Sequence, residues 1–329
     1  MREAMLYKNV GDHVVCQLCN RTCKIKQGEC GFCDVRRNEG GKLFTLAYGK
    51  ISALESRPIE IKPFFHLKPG STSMTFAGYS CNFECPWCQN WKISRATPHG
   101  PEITPEFVVE KALDSGDLSV CASLNEPTLL FEFLLEVFRI SKERGLLTTI
   151  VSNGYMSSLA LKELKRAGLD AIKIDIKGGE EVYTRYLSAT ARNVWRIVSE
   201  AIKLGIHVEI VNLLVTNVND SEESIREVIE SHLKFAGNEI PIHFTRYFPA
   251  YLFRERATDL KKLEKAVEIA KKEGIDFVYI GNVPGHRSEN TFCPDCGKIL
   301  VKRFSYTVLE NRIKDGRCPY CNKELYGIW

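Results

Sequence analysis

Short apolar runs alternate with amphipathic segments along most of the chain, from residue 71 to about residue 281. Six of the intervening segments predict helices, and several of them end in Gly, the favoured residue just past a helix C-terminus. Strands that alternate with helices predict right-handed crossovers and a parallel sheet. The apolar runs that predict strands are STSMTFAG, LSVCAS, LLTTIVS, DAIKIDIK, HVEIVNLLV, IPIHFTRY and DFVYIG.

The number of repeats narrows the fold class. The pattern contains about six βα units, fewer than the eight that close a full barrel. We therefore predict an α/β fold in which the repeats form an open, partial (βα)6 barrel. Sites in such folds lie at the C-terminal ends of the strands, so the residues directly after each strand are the first functional candidates.

Cysteine-rich segments flank this repeat and predict three domains. Residues 1–50 would form an N-terminal Cys-rich, metal-binding subdomain, with a Gly-Gly hairpin turn at Asn38–Leu46. Residues 51–285, which begin with a proline-rich connector, would form the partial barrel. Residues 286–329 would form a C-terminal module resembling a zinc ribbon.

Composition and charge exclude several classes of protein. The 329 residues are 44% hydrophobic and 26% charged, as in a globular protein, and the net charge of +4 is weak for this length. This charge argues against nucleic acid and membrane surfaces as partners, because proteins that bind them usually have concentrated basic runs. No stretch approaches the roughly 18 apolar residues of a membrane span, and the N-terminus lacks a signal-peptide pattern. We expect a cytoplasmic protein.

The chain contains thirteen cysteines, and twelve of them fall into three clusters. Clustered cysteines without a secretory signal predict metal binding rather than disulfides. In the C-terminal cluster, two C-x2-C pairs match the spacing of a structural zinc site, with a rubredoxin-like iron as the alternative. These metal candidates are Cys293, Cys296, Cys318 and Cys321.

The N-terminal cluster has one cysteine more than a four-ligand site requires. By spacing alone, the pair Cys16 and Cys19 would join the pair Cys30 and Cys33 around one zinc ion. That arrangement leaves Cys23 without a role.

The central cluster has one cysteine too few. Cys81, Cys85 and Cys88 follow the first predicted strand of the repeat at spacing C-x3-C-x2-C. Three thiolates can bind three irons of a [4Fe–4S] cluster and leave the fourth iron open, as catalytic metal sites require. Trp87 would shield such a cluster from water. The alternative is a structural zinc site completed by another residue such as Cys121, although a cysteine in an apolar strand is most simply a buried hydrophobe.

This triplet after the first strand of a βα array resembles the radical S-adenosylmethionine (SAM) superfamily. The resemblance implies that SAM chelates the open iron of a [4Fe–4S] cluster. It also implies that an electron cleaves SAM to methionine and a 5′-deoxyadenosyl radical, which abstracts hydrogen from a substrate. The protein would supply a dry, oriented pocket. Partners implied are SAM, an electron donor such as ferredoxin or flavodoxin, and a substrate.

Two segments at strand ends carry the resemblance further and imply cofactor-binding residues. SLNEP resembles the superfamily's Gly-Gly-Glu-Pro motif and assigns Glu126 to the methionine amino group, although Leu124 and Asn125 replace the glycines. Glu126 could instead belong to a helix start, with Pro at its first position. VSNGY resembles a segment near the cofactor ribose and assigns Ser152 and Asn153. The alternative for that segment is an Asn-Gly turn.

Two further segments give weaker candidates. IKIDIKG resembles a strand that lines the active site and would place Asp175 and Lys177, with Lys173, on one inward face. The alternative is an internal salt bridge. Asn212 is a cofactor candidate inside the fifth strand. The following Asn-Asp pair could cap the next helix, which we prefer as the role of Asp220.

The N-terminal cluster, with KPFFHLKPGS and CQNWKIS, resembles radical enzymes associated with Memo-like proteins, the AmmeMemoRadiSam system, which are similar to pyruvate formate-lyase activating enzyme. That family's pattern implies the ligands Cys16, Cys19, Cys23 and Cys33, with Cys30 as an alternative, and either zinc or a second iron–sulfur cluster. The resemblance implies an activating-enzyme-like oxidoreductase that abstracts hydrogen from a protein, for example at a glycine, or from a small molecule.

Two hypotheses from other classes compete with an enzyme. A non-catalytic iron–sulfur electron carrier would show reversible redox chemistry without binding SAM. A zinc-binding interaction protein would contain zinc at all three clusters and no iron. Metal analysis after anaerobic purification separates these alternatives most cheaply.

Overall fold

The computed structural model describes residues 1–329, which divide into two compact units. Unit 1 comprises Met1–Arg57 and Thr72–Ile172, and unit 2 comprises Pro58–Ser71 and Lys173–Trp329. This division follows contacts between residues in space, so both units are discontinuous in sequence. The three-domain division by sequence composition stays a prediction.

Unit 1 begins with six short strands in two three-stranded sheets. Strand β6 pairs with both β1 and β5, and β3 pairs with both β2 and β4, all antiparallel. The predicted Gly-Gly turn lies between β5 and β6, where Gly40 and Gly41 both have positive φ. The strands are β1 (Arg2–Glu3), β2 (Tyr7–Val10), β3 (His13–Cys16), β4 (Lys24–Lys26), β5 (Arg36–Glu39) and β6 (Lys42–Thr45).

The remainder of unit 1 contains the first repeats of the α/β pattern. Its strands follow the order β7-β8-β9-β10, and β9 lies parallel between β8 and β10. Strand β9 is fully buried, as expected for the centre of a parallel sheet. The elements are β7 (Ala53–Pro58), β8 (Thr72–Ala77), α1 (Trp91–Ser94), α2 (Pro105–Asp114), β9 (Ser119–Ala122), α3 (Phe131–Glu143), β10 (Leu147–Ser152) and α4 (Ser158–Ala167).

The alternation of strands and helices continues in unit 2. Strand β11 contains the last residues of unit 1 and the first residues of this part of unit 2. The strand order is β11-β12-β13-β14, and β13 pairs parallel with both β12 and β14. Helix α6 buries Val194, Trp195, Ile197, Val198 and Ala201, the spacing that places apolar residues on one helix face. The elements are β11 (Ala171–Ile176), α5 (Glu180–Leu187), α6 (Ala191–Lys203), β12 (His207–Leu214), α7 (Glu222–Phe235), β13 (Ile242–Arg246), α8 (Leu260–Lys272) and β14 (Val278–Gly281).

A small antiparallel sheet lies at the C-terminal end of the chain. Strand β16 (Ile299–Phe304) pairs with β15 (Thr291–Phe292) and with β17 (Thr307–Asn311). Two cysteines, Cys293 and Cys318, pack in a buried cluster with apolar residues of unit 2. The four-cysteine segment is therefore part of the unit's hydrophobic core as well as a candidate metal site.

The predicted α/β class with a largely parallel sheet is confirmed. All seven predicted strands and six predicted helices are present, and β8–β13 are each followed by a helix, which gives six βα units. Helix α2 begins at Pro105, and the Thr104 side chain caps it. The preferred role of Asp220 is wrong: Ser221 caps α7, and Asp220 accepts from the backbone N–H of Asn217. No helix has the length and apolar character needed to cross a membrane.

Candidate functional site

The loop after β8 carries the central cysteine triplet. Gly78 begins this loop, and a Cβ there would lie 2.8 Å from Leu130, so only glycine fits without rearrangement. Ser80 has a φ of 67°, a left-handed conformation that is unusual for a non-glycine residue. The loop therefore reverses sharply and brings Cys81, Cys85 and Cys88 to the C-terminal side of the strand.

Asn125 and Leu124 hold both ends of the cysteine loop. The Asn125 side chain accepts from the backbone N–H of Gly78 at 3.1 Å and donates to the Ser80 carbonyl at 2.9 Å. The Leu124 carbonyl accepts from the Asn90 side chain at 2.7 Å, just beyond the last cysteine. Leu124 has a φ of 71°, so the backbone keeps a glycine-like conformation at a position where the family motif has glycine.

Glu126 joins the loops that follow β9 and β10. Its Oε1 accepts from the Ser152 hydroxyl at 2.8 Å and from Thr128, and its Oε2 accepts from the backbone N–H of Asn153 at 2.8 Å. Burial raises the pKa of this carboxyl, and the hydrogen bonds from Thr128, Asn153 and Ser152 lower it by less. The predicted helix start is also present: Pro127 is the first residue of a short 3-10 helix that Glu126 caps.

Asn153 connects the loop after β10 to the cysteine loop. Its amide nitrogen lies 2.7 Å from the Asn82 Oδ1 and 3.8 Å from the Cys81 sulfur, while its Oδ1 accepts from the Tyr155 N–H at 2.9 Å. The amide nitrogen of Asn82 is buried and has no hydrogen-bond partner. Two side-chain amides therefore lie beside Cys81, and one of their donors is unsatisfied.

The sulfur atoms of the triplet form a less compact group than those of the C-terminal cysteines. The three sulfurs do not all lie within 4.8 Å of one another, whereas the four sulfurs of the C-terminal cysteines do. Burial raises the pKa of the Cys81 thiol, and the Glu126 carboxylate raises it further. Trp87, the residue before Cys88, has a relative exposure of only 3%, as its predicted shielding role requires. This donor set fits a multi-iron cluster better than one ion.

Four of the five N-terminal cysteines line one small cavity. The cavity walls include Cys16, Cys19, Cys23 and Cys33, together with Arg36 and Asn82. Cys30 is exposed and does not line the cavity. The geometry thus favours the set that the family pattern implies over the set that spacing alone suggests. Burial raises the pKa values of Cys19 and Cys33 to about 12.

The C-terminal cysteines form a compact group in unit 2. The sulfur atoms of Cys293, Cys296, Cys318 and Cys321 all lie within 4.8 Å of one another. Cys293 lies 3.5 Å from Cys321, and Cys296 lies 3.7 Å from Cys318. The backbone N–H of Gly297 donates to the Cys293 carbonyl, and that of Asn322 donates to the Cys318 carbonyl, so each pair lies on a tight turn. The group can hold one metal ion.

The remaining candidates from the sequence lie in unit 2. Burial alone would raise the pKa of Asp175, but the ammonium groups of Lys173 and Lys177 outweigh it and lower that pKa to about 2. The internal salt bridge that we weighed as an alternative is therefore present. Asn212 is fully buried, donates to the Ile176 carbonyl at 2.8 Å, and has an Oδ1 without a hydrogen-bond partner. Cys121 is a fully buried strand residue, as expected.

Sequence reasoning missed the amide residues that connect the loops. Asn82 and Asn125 hold the cysteine loop in place, and Asn20 donates to the Met156 carbonyl at 2.7 Å, which ties the N-terminal cysteine segment to the loop after β10. The only signal in the sequence was that each lies within two residues of a candidate cysteine or Glu126. Such residues are common in turns, so their position alone did not identify them.

Comparisons with known proteins match the region that contains the triplet. The family model described as the radical SAM superfamily matches residues 76–232, which include the triplet, Glu126 and Asn153. An uncharacterised protein of Methanocaldococcus jannaschii is 39% identical over 332 residues and covers 99% of both chains. The pyruvate formate-lyase-activating enzyme of Clostridium pasteurianum is 26% identical over 193 residues, which is 56% of this chain and 76% of the relative.

A solved structure is similar in fold. The crystal structure of Streptococcus suis SuiB bound to S-adenosylmethionine superposes with a TM-score of 0.51 at 16% identity. The match covers 62% of this chain and 48% of SuiB.

Proposed function

The chain belongs to the radical SAM superfamily, and from this membership we propose that it is an enzyme that cleaves SAM reductively. In this proposal Cys81, Cys85 and Cys88 bind three irons of a [4Fe–4S] cluster. When bound, the cluster supplies one electron, which converts SAM to methionine and a 5′-deoxyadenosyl radical that abstracts hydrogen from the substrate. The observation that carries the proposal is the cysteine triplet in the loop after β8, within the region that the family model matches.

The protein's own groups fit a cluster at this position. Three sulfur ligands leave one iron for SAM, whereas a closed site would need a fourth protein ligand. The unsatisfied amide nitrogen of Asn82 and the nearby amide of Asn153 provide N–H donors for thiolate or sulfide. Such hydrogen bonds, together with the buried Trp87, set the reduction potential and exclude water.

Residues at the strand ends of unit 1 orient the cofactor in this proposal. Glu126 Oε2 accepts one hydrogen bond from the chain, and a carboxylate oxygen has room for a second donor, such as the methionine ammonium of SAM. Ser152 and Asn153 are held by Glu126, so we assign them mainly to shaping the loop that meets the ribose. Their direct partners within the chain make rigid positioning their main contribution.

In unit 2, the family resemblance assigns three further residues, Asp175, Lys177 and Asn212, to contacts with cofactor or substrate. The low pKa keeps Asp175 ionised, so it can accept from a hydroxyl or ammonium group, and Lys177 can contact an anionic group. The unpartnered Oδ1 of Asn212 is an available buried acceptor. Each of these assignments comes from the family resemblance and from the polar atoms that the structure leaves available.

For the substrate, we propose a protein, with a small molecule as the second candidate. The similarity to a pyruvate formate-lyase-activating enzyme supports an oxidoreductase that generates a radical on a partner protein, for example on a glycine. Membership in the Memo-associated family remains part of this proposal and rests on the N-terminal cysteine pattern. A ferredoxin or flavodoxin would supply the electron.

We further propose that the C-terminal cysteines bind structural zinc. Four sulfurs within 4.8 Å of one another match the tetrahedral donor set that zinc prefers. Because Cys293 and Cys318 belong to the buried core of unit 2, metal bound there would stabilise that unit.

The proposal is tested by anaerobic reconstitution with iron and sulfide, followed by a SAM cleavage assay under reductant. We expect 5′-deoxyadenosine from the wild-type protein and none from Cys85→Ala, with Cys121→Ser as a control outside the triplet. An intact cluster that yields no 5′-deoxyadenosine would overturn the proposed enzymatic activity and support the electron-carrier hypothesis. Zinc at all three cysteine groups without iron would instead support the interaction-protein hypothesis.

The substrate class needs a separate measurement. We expect the protein to capture a partner anaerobically and to leave on it a glycyl radical or a mass change that depends on SAM. Mass spectrometry and electron paramagnetic resonance (EPR) of the captured partner would detect these changes. Deuterium transfer from a small molecule into 5′-deoxyadenosine, without any modified partner, would favour the small-molecule alternative.

A further inference from the structure

The cavity lined by the N-terminal cysteines has the donors of a cluster site. Cys16, Cys19 and Cys33 are buried, and Cys23 is partly buried, so four thiols meet around one enclosed space. No three of their sulfurs lie within 4.8 Å of one another. A single zinc ion with Zn–S bonds of about 2.3 Å would need sulfurs roughly 4 Å apart. Thiolates bound to different irons of one cluster are more widely separated.

Arg36 adds a second, independent observation. Its guanidinium lines the same cavity, is 1% exposed, and forms two bonds of 2.9 Å with Glu132. Its Nε–H is buried and has no hydrogen-bond partner. An unsatisfied buried donor is costly unless an acceptor is present, and sulfide or thiolate in the cavity would provide one.

The cavity adjoins the central triplet within unit 1. The Ser80 hydroxyl donates to the Cys33 carbonyl, and Ser80 is covalently joined to Cys81. Arg21 Nε donates to the Asn82 carbonyl at 3.0 Å, and Asn82 itself lines the cavity. Two short routes of covalent and hydrogen bonds therefore connect the cavity to the triplet.

We propose that Cys16, Cys19, Cys23 and Cys33 bind a second [4Fe–4S] cluster that passes electrons to the central one. A ferredoxin- or flavodoxin-type donor would lose one electron to this second cluster, and the same electron would then reduce the central cluster. No bond is made or broken in the transfer. The cluster site stands on the cavity alone, whereas the relay role rests on the proposed SAM cleavage.

The cluster site is tested in a variant that lacks the triplet, Cys81→Ala/Cys85→Ala/Cys88→Ala. After anaerobic reconstitution we expect about four irons and four sulfides per chain, against about eight of each in the wild type. Adding Cys19→Ser/Cys33→Ser should remove the remaining sulfide, and Cys30→Ser should not. A triplet variant that contains no sulfide after reconstitution, beyond the one metal ion expected at the C-terminal cysteines, would overturn the site. Loss of the cluster in Cys30→Ser, together with its retention in Cys23→Ser, would also overturn the proposed ligand set.

The relay role is tested in Cys19→Ser/Cys33→Ser with the triplet intact. We expect at least about a tenfold loss of 5′-deoxyadenosine formation driven by reduced flavodoxin, and less than about a twofold loss when dithionite is the reductant. The central cluster's EPR signal in the same sample shows whether the variant is folded. If the variant and the wild type form 5′-deoxyadenosine at equal rates with flavodoxin, the relay role is overturned but the cluster site is not. Failure of the wild type with both reductants would overturn SAM cleavage instead.

Discussion

The cysteines of the two units hold their sulfur atoms at different separations. In unit 2, four sulfurs lie within 4.8 Å of one another on two tight turns. In unit 1, seven cysteines form two sets, the cavity set and the triplet, and no three sulfurs of either set come so close. A cluster spreads its ligands over several irons, whereas one ion draws them to one point.

From this difference we infer a structural role for the C-terminal group and a catalytic role for the triplet. The unit 2 group offers four donors to one ion and leaves no open position, so it can stabilise a fold but not activate a substrate. The triplet offers three donors, and the side-chain amides of Asn82 and Asn153 lie beside Cys81. We therefore assign the proposed cluster chemistry to the triplet of unit 1 and a stabilising role to the C-terminal group, and the following experiments test that assignment.

The largest expected effect is on SAM cleavage. Cys88→Ala should reduce 5′-deoxyadenosine formation by more than about 100-fold, because the cluster loses one of three ligands. Cys296→Ala in unit 2 should leave the rate per folded molecule within about threefold. Liquid chromatography of the quenched reaction measures both. Comparable losses in the two variants would break the comparison.

The next effect is on stability and concerns the C-terminal group. Cys318→Ala should reduce bound zinc from about one per chain to none and lower the unfolding midpoint by roughly 10 °C, since metal binding is coupled to folding. Metal analysis and calorimetry measure the change. An unchanged midpoint with zinc lost would mean that the ion does not stabilise unit 2.

A smaller loss should follow removal of an amide beside the triplet. Asn153→Ala deletes the contacts with Asn82 and the Cys81 sulfur and should lower the rate of SAM cleavage by about 10- to 100-fold, as outer-shell changes do. The cluster's reduction potential should shift as well. Asn238→Ala, an exposed position in unit 2, is the matched control. A full rate with an unshifted potential would contradict the positioning role.

The smallest effect concerns pH and distinguishes the units in another way. Burial lowers the pKa of His66 to about 3 and that of His232 to about 4. His66 Nδ1 donates to the Tyr326 carbonyl, and its Nε2 lies 2.6 Å from the Tyr279 hydroxyl, which suits a neutral ring. In unit 1, His13 is partly exposed and His99 is exposed.

Both folded pKa values lie below the unfolded value of about 6.5, so burying the two neutral rings stabilises the folded state above that pH. This contribution to the free energy of unfolding is lost as the pH falls towards 3–4. Each ring should contribute about 2 kcal/mol of loss between about pH 6.5 and about pH 5. Urea unfolding at the two values measures it, and His232→Leu should flatten the dependence. An identical slope in that variant would refute the assignment.

The sequence predicted the repeat and the triplet because both depend on local patterns. Strand and helix positions follow from periodicity, and three closely spaced cysteines imply a shared ligand. Spacing could not choose between Cys23 and Cys30, because that choice depends on how β5 and the loop before it fold, which exposes Cys30.

The connections between loops were also beyond sequence reasoning. The family resemblance predicts cofactor contacts for Glu126, Ser152 and Asn153, but their hydrogen bonds to one another appear only once β9 and β10 are neighbours. Leu124 replaces a glycine but keeps a positive φ, which composition would not predict.

The most direct test of the account is whether SAM binds the iron that the triplet leaves open. We would reduce the reconstituted Cys19→Ser/Cys33→Ser variant, which should contain only the central cluster, and record its EPR spectrum before and after adding SAM. The account predicts a clear change in the cluster's signal, and no such change in the triplet variant, whose remaining cluster has four protein ligands. A central cluster whose spectrum is unaffected by saturating SAM would contradict the account.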